Sequence, residues 1–144
     1  MGDYRIRMHF DIAAPPSAVT AALTSQEGIA SWWSDTVDGQ PDKDGGDLFV
    51  AFPDLPERFH FRVGLQPQVI SWETQDFPPW WKDTTIRWEV AGQPEGDGTA
   101  LSFTHGGFDP DDDIIPVITP AWAGIIERLK AHAETGARNP FARN

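Results

Sequence analysis

Trp122, Ile125, Ile126 and Leu129 recur at i, i+3, i+4 and i+7, and Ala133 continues the series. Glu127, Arg128, Lys130 and Glu134 take the opposite side of the same period. The pattern predicts a helix with a single apolar stripe. Thr119 is placed to cap it, Pro120 to fill its first helical position and Gly136 to end it. A helix over 119–135 is about 25 Å long, enough to cross a whole sheet. Its stripe has to be covered, so the rest of the chain must supply one broad apolar face.

Alternating segments supply it. Tyr4, Ile6, Met8, Phe10 and Ile12 alternate with Arg5, Arg7, His9 and Asp11, which predicts a half-buried first strand. Pro15 and Pro16 then open a short helix with Val19, Ala22 and Leu23 on its apolar side. Thr24 and Glu27 have the spacing of a capping box, which predicts a second short helix starting there. Strand follows strand from residue 46 to residue 106. Leu48, Val50 and Phe52 form one apolar row, and Phe59, Phe61, Val63 and Leu65 the next. The segment Gln68 to Gln75 follows a Pro67 turn; Thr84, Ile86, Trp88 and Val90, then Leu101, Phe103 and His105, complete the series. Their short, turn-rich connections predict an antiparallel meander. The expected architecture is α+β: a curved antiparallel sheet around a long C-terminal helix, with two short helices after the first strand. A twisted sheet cannot touch one helix along its full length, so a ligand cavity is expected between them.

Composition narrows the partners. The 144 residues suit one domain, 1–144, and 40% hydrophobic content fits a packed core. A net charge of -11 argues against nucleic acid and anionic membrane surfaces. The chain has no cysteine, hence no disulfide, thiolate metal site or cysteine nucleophile. The charged, alternating N-terminus is unlike a signal peptide, and no apolar run nears the roughly 20 residues of a membrane span. A cytoplasmic protein is expected.

Four motifs share an order and spacing. They are Ile12-Ala-Ala-Pro-Pro-Ser-Ala-Val19, the Trp32-Trp33 pair, Thr99-Ala-Leu-Ser-Phe-Thr-His105, and Trp122 ahead of Leu129-Lys130 and Glu134-Thr135-Gly136. Together they resemble the branch of the SRPBCC/START (polyketide cyclase-like) superfamily named for activators of the heat-shock protein 90 ATPase. The resemblance covers nearly the whole chain and implies a helix-grip fold. Two departures stand out: the Gly-Trp expected at the last helix reads Ala121-Trp122, and prolines occupy positions 116 and 120.

The site candidates follow from the rows. Phe59, Phe61, Trp72, Trp88 and Phe103 point inward by periodicity, with Trp122 and Ile126 facing them from the helix; this is the expected ligand lining, weighed evenly against a filled core with no cavity. Of the adjacent Trp32 and Trp33, one ring is expected to plug the core and the other, Trp33, to stand at the pocket mouth, weighed against both rings being structural packing. His105 is the candidate for a ligand hydrogen bond or a general base, weighed against a histidine satisfied by a backbone carbonyl. Glu73 and Arg87 read as an outward cross-strand ion pair, and Arg62 as outward too. Asp109-Pro-Asp-Asp-Asp113 lacks the pattern of a calcium loop and reads as solvated acid ahead of a helix. Asp76-Phe-Pro-Pro-Trp-Trp-Lys82 offers Trp80 and Trp81 as a lid or partner patch. No phosphate loop, HExxH or GxSxG occurs, and no metal or cofactor is expected. The leading expectation is binding of a small hydrophobic or aromatic molecule, not catalysis. The alternatives are a cyclase- or hydrolase-type enzyme using His105, and a module that binds a chaperone; a homodimer is a further expected partner state.

Overall fold

The computed structural model describes residues 2–144. Strands β1 (Tyr4–Ile12), β2 (Val37–Gly39), β3 (Asp47–Val50), β4 (Phe59–Gln66), β5 (Val69–Thr74), β6 (Thr85–Gly92) and β7 (Thr99–Phe108) form one sheet. All neighbours are antiparallel, in the order β1-β7-β6-β5-β4-β3-β2. Helices α1 (Pro16–Thr24) and α2 (Gln26–Ala30) follow β1, a 3-10 turn at Pro79–Trp81 precedes β6, and α3 (Ile115–Thr135) packs on the inner face. This is the helix-grip arrangement.

Period two sets the inner face. β6 buries Ile86, Trp88 and Val90 while Arg87 and Glu89 face solvent. Register then places Trp88 opposite Phe103 and Trp72 opposite Ile86. β7 runs past His105 because Gly107 adopts a left-handed φ of 107°. A Cβ there would lie 2.4 Å from the Asp83 carbonyl oxygen, so only glycine fits. The kink changes phase and turns Phe108 inward; the matching irregularity between Tyr4 and Arg5 in β1 leaves Tyr4 exposed, outside the inward row.

Both helix starts differ from expectation. Ser25, not Thr24, caps α2: its Oγ accepts from Gly28 N at 2.9 Å, while Thr24 Oγ1 is spent on the Thr20 carbonyl. α3 begins at Ile115, so Pro116 falls in the first turn, where no N–H is missed, and Pro120 lies inside the helix. Thr119, expected as the cap, instead donates back to the Ile115 carbonyl at 2.6 Å. The extra turn docks Ile118 in the core beside Trp122, which offsets the bond that Pro120 cannot make. Gly136 does end α3 in the left-handed region, at φ 77°. Glu134 near that end accepts from Ala13 N at 2.7 Å and ties α3 to the β1–α1 turn.

The last eight residues, 137–144, form a strap along the tryptophan pair. Asn139 N, Phe141 N and Ala142 N donate to the carbonyls of Ser31, Trp32 and Trp33 at 2.9, 3.1 and 2.8 Å. Asp35 N returns a bond to the Ala142 carbonyl, and Asn144 Nδ2 reaches the Ala51 carbonyl. Among the described residues no helix is long and apolar enough to cross a membrane.

Candidate functional site

The tryptophan pair sits in a turn, not on a regular element, and the turn directs both rings inward. Trp32 and Trp33 stack at 6.0 Å and 6°, and Trp33 stacks on Trp72 at 5.8 Å and 4°. Trp88 meets both Trp32 and Trp72 edge-on. Phe103 and Trp122 close the layer at 4.8 Å, with Phe61 against Trp72 and Ile126 fully buried from α3. These rings fill the space between sheet and helix, where composition leaves a cavity and a filled core equally open. Trp33 is not an exposed mouth residue: it is 1% accessible, because the strap holds its carbonyl and the neighbouring rings cover its face.

The apolar concavity lies instead at one end of α3, open to solvent, with a volume of about 370 Å³. Trp33, Phe59, Trp81 and Trp122 line it from the core side; Trp80, Ile114, Val117 and Phe141 are among the residues completing it. No charged residue lines it. Of the expected site residues, Trp33, Phe59 and Trp122 reach this groove. Trp32, Phe61, Trp72, Trp88, Phe103 and Ile126 do not, because the first row of rings stands in front of them. Trp80 and Trp81 separate: Trp80 is exposed, whereas Trp81 is buried against Phe59, His105 and Trp122. Phe52, Val117, Ile118 and Phe141 were not among the sequence candidates; Phe141 belongs to the irregular strap, which no period marks.

His105 lies behind Trp81 and Trp122. Trp122 Nε1 donates to its Nδ1 at 3.1 Å, so the ring proton is on Nε2, which donates to Thr84 Oγ1 at 3.0 Å. Thr84 passes its own hydroxyl proton to the Trp81 carbonyl at 2.7 Å. With that proton committed, Thr74 is the donor in the 3.3 Å contact between the two hydroxyls. Burial pushes the imidazole down from 6.5 to about 3, so the ring is neutral. Its partners are a hydroxyl and an indole, not the backbone carbonyl considered from sequence. A general base needs a free lone pair within reach of substrate. His105 has none in this network, so the geometry offers no support for that role.

A larger, polar concavity of about 770 Å³ lies on the outer face, lined by His60, Glu73, Asp76, Asp83 and neighbours. His60 Nε2 and Nδ1 each lie 2.8 Å from a carboxylate oxygen, of Asp47 and Asp76. The hydrogen bonds from His60 hold both carboxyls below the usual 3.8. Phe49 stacks on His60 at 4.5 Å, and the Arg58 guanidinium lies 4.2 Å from the Phe49 ring centre. Glu73 and Arg87 both face outward, but register sets Glu73 opposite Thr85 and Arg87 opposite Ser71. Arg87 pairs along its own strand with Glu89 at 3.5 Å, and Arg62 with Asp47 at 3.4 Å. Asp112 Oδ1 accepts from Ile114 N in the turn before α3. Among the described residues no group of three or more His, Asp or Glu side chains is arranged to hold a metal.

The fold recurs in solved structures. The Aha1 dimer from Colwellia psychrerythraea is similar at a TM-score of 0.80 and 24% identity, over 92% of this chain and 98% of that one. Protein MLL2253 from Mesorhizobium loti gives 0.72 and 21%, over 88% and 94%. DynU16, from the dynemicin biosynthetic locus, gives 0.74 and 20%, over 99% of this chain and 51% of that one. No curated protein matches the chain. The motifs that carried the resemblance fall on the β1–α1 turn, the tryptophan turn, β7 and α3, and the family model spans all of them but Ile12, Thr135 and Gly136: matched over residues 13–134, the chain belongs to the activator of Hsp90 ATPase homolog 1-like protein family.

Proposed function

We propose that this domain, taken as a single unit over 1–144, binds a small, largely apolar planar molecule in the open groove beside the first turns of α3. The observation that carries the reading is the groove itself. About 370 Å³ is within the range of small-molecule sites, and its wall is apolar and aromatic with no charge. The rigid layer of rings behind it supports flat contact surfaces at low entropic cost.

Native mass spectrometry of freshly purified protein tests this, with titration of an anilinonaphthalene dye. Ala121→Phe fills the groove from a half-buried position on α3. The wild type is expected to bind the dye and the variant to bind it at least 5-fold more weakly, about 1 kcal/mol. Unchanged dye affinity in a folded Ala121→Phe protein would remove the groove as the site.

One observation favours a second reading. Among the described residues the exposed large apolar side chains are Tyr4, Trp80, Val117 and Phe141, and the last three all line this groove. Such clustering marks association surfaces as well as ligand sites. The similar Colwellia psychrerythraea protein is described as a dimer. A second copy, or the chaperone implied by the family's description, would cover the same patch. Sedimentation velocity over a concentration series decides for or against the copy: dimerisation lost in Val117→Asp supports it, and a monomer at all concentrations removes it.

A further inference from the structure

The loop that carries Trp80 and Trp81 is fastened at both ends. At its β6 end the Trp81 carbonyl accepts from Thr84 N and Thr84 Oγ1. At its β5 end it is tied to His60 on β4. His60 N donates to the Phe77 carbonyl and Gln75 N to the His60 carbonyl, both at 2.9 Å. The His60 ring adds the side-chain tie, with Nδ1 2.8 Å from Asp76 Oδ1 and Nε2 2.8 Å from Asp47 Oδ1 on β3. A carboxylate only accepts, and a neutral imidazole carries a single N–H. A neutral ring would serve one carboxylate and turn a lone pair toward the other. The imidazolium, with a proton on each nitrogen, makes both bonds.

The two carboxylates are not equally placed. Asp47 also accepts from Arg62 Nε at 3.4 Å, whereas among the described residues Asp76 has no cation but His60, and its side chain is 78% accessible. Of the other charged groups around the ring, Glu57 lies ahead of β4, Glu73 on β5 and Asp83 ahead of β6. Arg58 is paired with Asp38 of β2. Asp76 is therefore the partner left without a cation when the ring loses a proton. It leads directly into Phe77, whose buried ring packs on Phe59 at 6.0 Å and on Trp80 at 5.5 Å. Trp80 rests on these two rings and forms part of the groove wall.

We propose that His60 is a proton-operated latch on this loop: the imidazolium ties Asp76 to Asp47 and steadies Trp80, and loss of one ring proton frees Asp76 and slackens that wall of the groove. The coupling to ligand rests on the groove being the binding site; the latch itself does not. The latched state holds the extra proton, so it is favoured at low pH and lost as pH rises. His105 acts in the opposite sense, because its burial favours the neutral ring and the folded chain gains stability as pH rises. Slackening of the loop on raising the pH is thus not attributable to His105.

The test compares the full chain at pH 6 and pH 9. Ring 15N NMR reads the protons on His60, and amide exchange of His60 and Gln75, taken relative to β7 amides, reads the latch. At pH 6 both ring nitrogens are expected to carry protons. At pH 9 one is lost and relative protection falls roughly 3-fold, the size of an exposed charge pair. Affinity for an anilinonaphthalene dye falls roughly 2- to 5-fold, part of the worth of one aromatic contact. Asp76→Asn keeps the latch shut at both pH values, since an amide accepts from Nδ1–H or donates to a bare Nδ1. Glu73→Gln, which lines the same concavity without touching the ring, keeps the wild-type response. A ring with one proton at pH 6, protection that does not change with pH, or a pH response that survives in Asp76→Asn overturns the latch. Equal dye affinity at both pH values in a protein whose latch titrates overturns the coupling to the groove. No dye binding at either pH removes the groove reading, and the exchange data then still decide the latch.

Discussion

Acidification should weaken this fold through His105 before it touches the carboxylates. The unfolded imidazole titrates at about 6.5, and burial lowers the folded value to about 3. Between these values the unfolded chain binds a proton that the folded chain refuses, so stability rises with pH across that window. The contribution is complete above pH 6.5 and is lost as pH falls toward 3. Linkage gives a loss of about 2 kcal/mol by pH 5 and about 3 kcal/mol by pH 4. Asp35, Asp47 and Asp76 are also held below 3.8, by bonds from Asn144 in the first case and His60 in the other two. Being exposed, they add their own acid sensitivity at lower pH, so the range from pH 7 to 5 isolates the histidine from them. Urea unfolding of the wild type at half-unit steps, beside His105→Gln, measures the slope. The variant is expected to be less stable at pH 7, since Trp122 and Thr84 lose a matched partner, but flatter with pH. A wild type whose stability is unchanged from pH 7 to 5, or a variant with the same slope, would show that His105 is not the group being titrated.

Two further outcomes follow from the ring layer. Trp122→Ala should cost about 3–5 kcal/mol for the cavity and roughly 1 kcal/mol more for the orphaned His105 acceptor; a loss below about 2 kcal/mol in urea would mean α3 docks without this ring. Trp32→Ala and Trp33→Ala should each lose about 3–5 kcal/mol, because both rings are buried. The milder Trp33→Phe should weaken groove binding of a dye by roughly 2- to 12-fold, the worth of an aromatic contact, while Trp32→Phe leaves it unchanged. Equal effects of the two on dye affinity would separate Trp33 from the groove.

Most of the architecture was legible because burial and period coincide. Phe59, Phe61, Trp72, Trp88 and Phe103 read as one face and occupy one face. The stripe of α3 was equally plain, yet its first turn was not. Pro116 and Pro120 both look like helix starts, and only the packing of Ile118 decides which one is. His105 was legible as an inward polar residue at the end of a row. Its partners Thr84 and Trp122 lie 21 and 17 residues away in sequence, so their convergence is a property of the assembled sheet and helix. The groove was illegible for a similar reason: Trp33, Trp81, Trp122 and Phe141 come from four separate segments, the turn after α2, the 3-10 turn, α3 and the strap.

The tryptophan pair shows where a side-chain period stops being informative. Adjacent residues on a helix or strand diverge, so two neighbouring indoles invite one inward and one outward assignment. Here the pair lies where α2 ends at Ser31, and the chain is free to place both rings in the core provided the carbonyls of Ser31, Trp32 and Trp33 find donors. Those donors are Asn139, Phe141 and Ala142, more than 100 residues downstream. The strap that carries them has no apolar repeat, and Phe141 turns its ring to the groove while its backbone N–H holds Trp32. Hydrophobic patterning reports side chains. The bonds that let Trp32 and Trp33 share one direction are made by main-chain N–H groups, which every residue but proline carries and no pattern distinguishes.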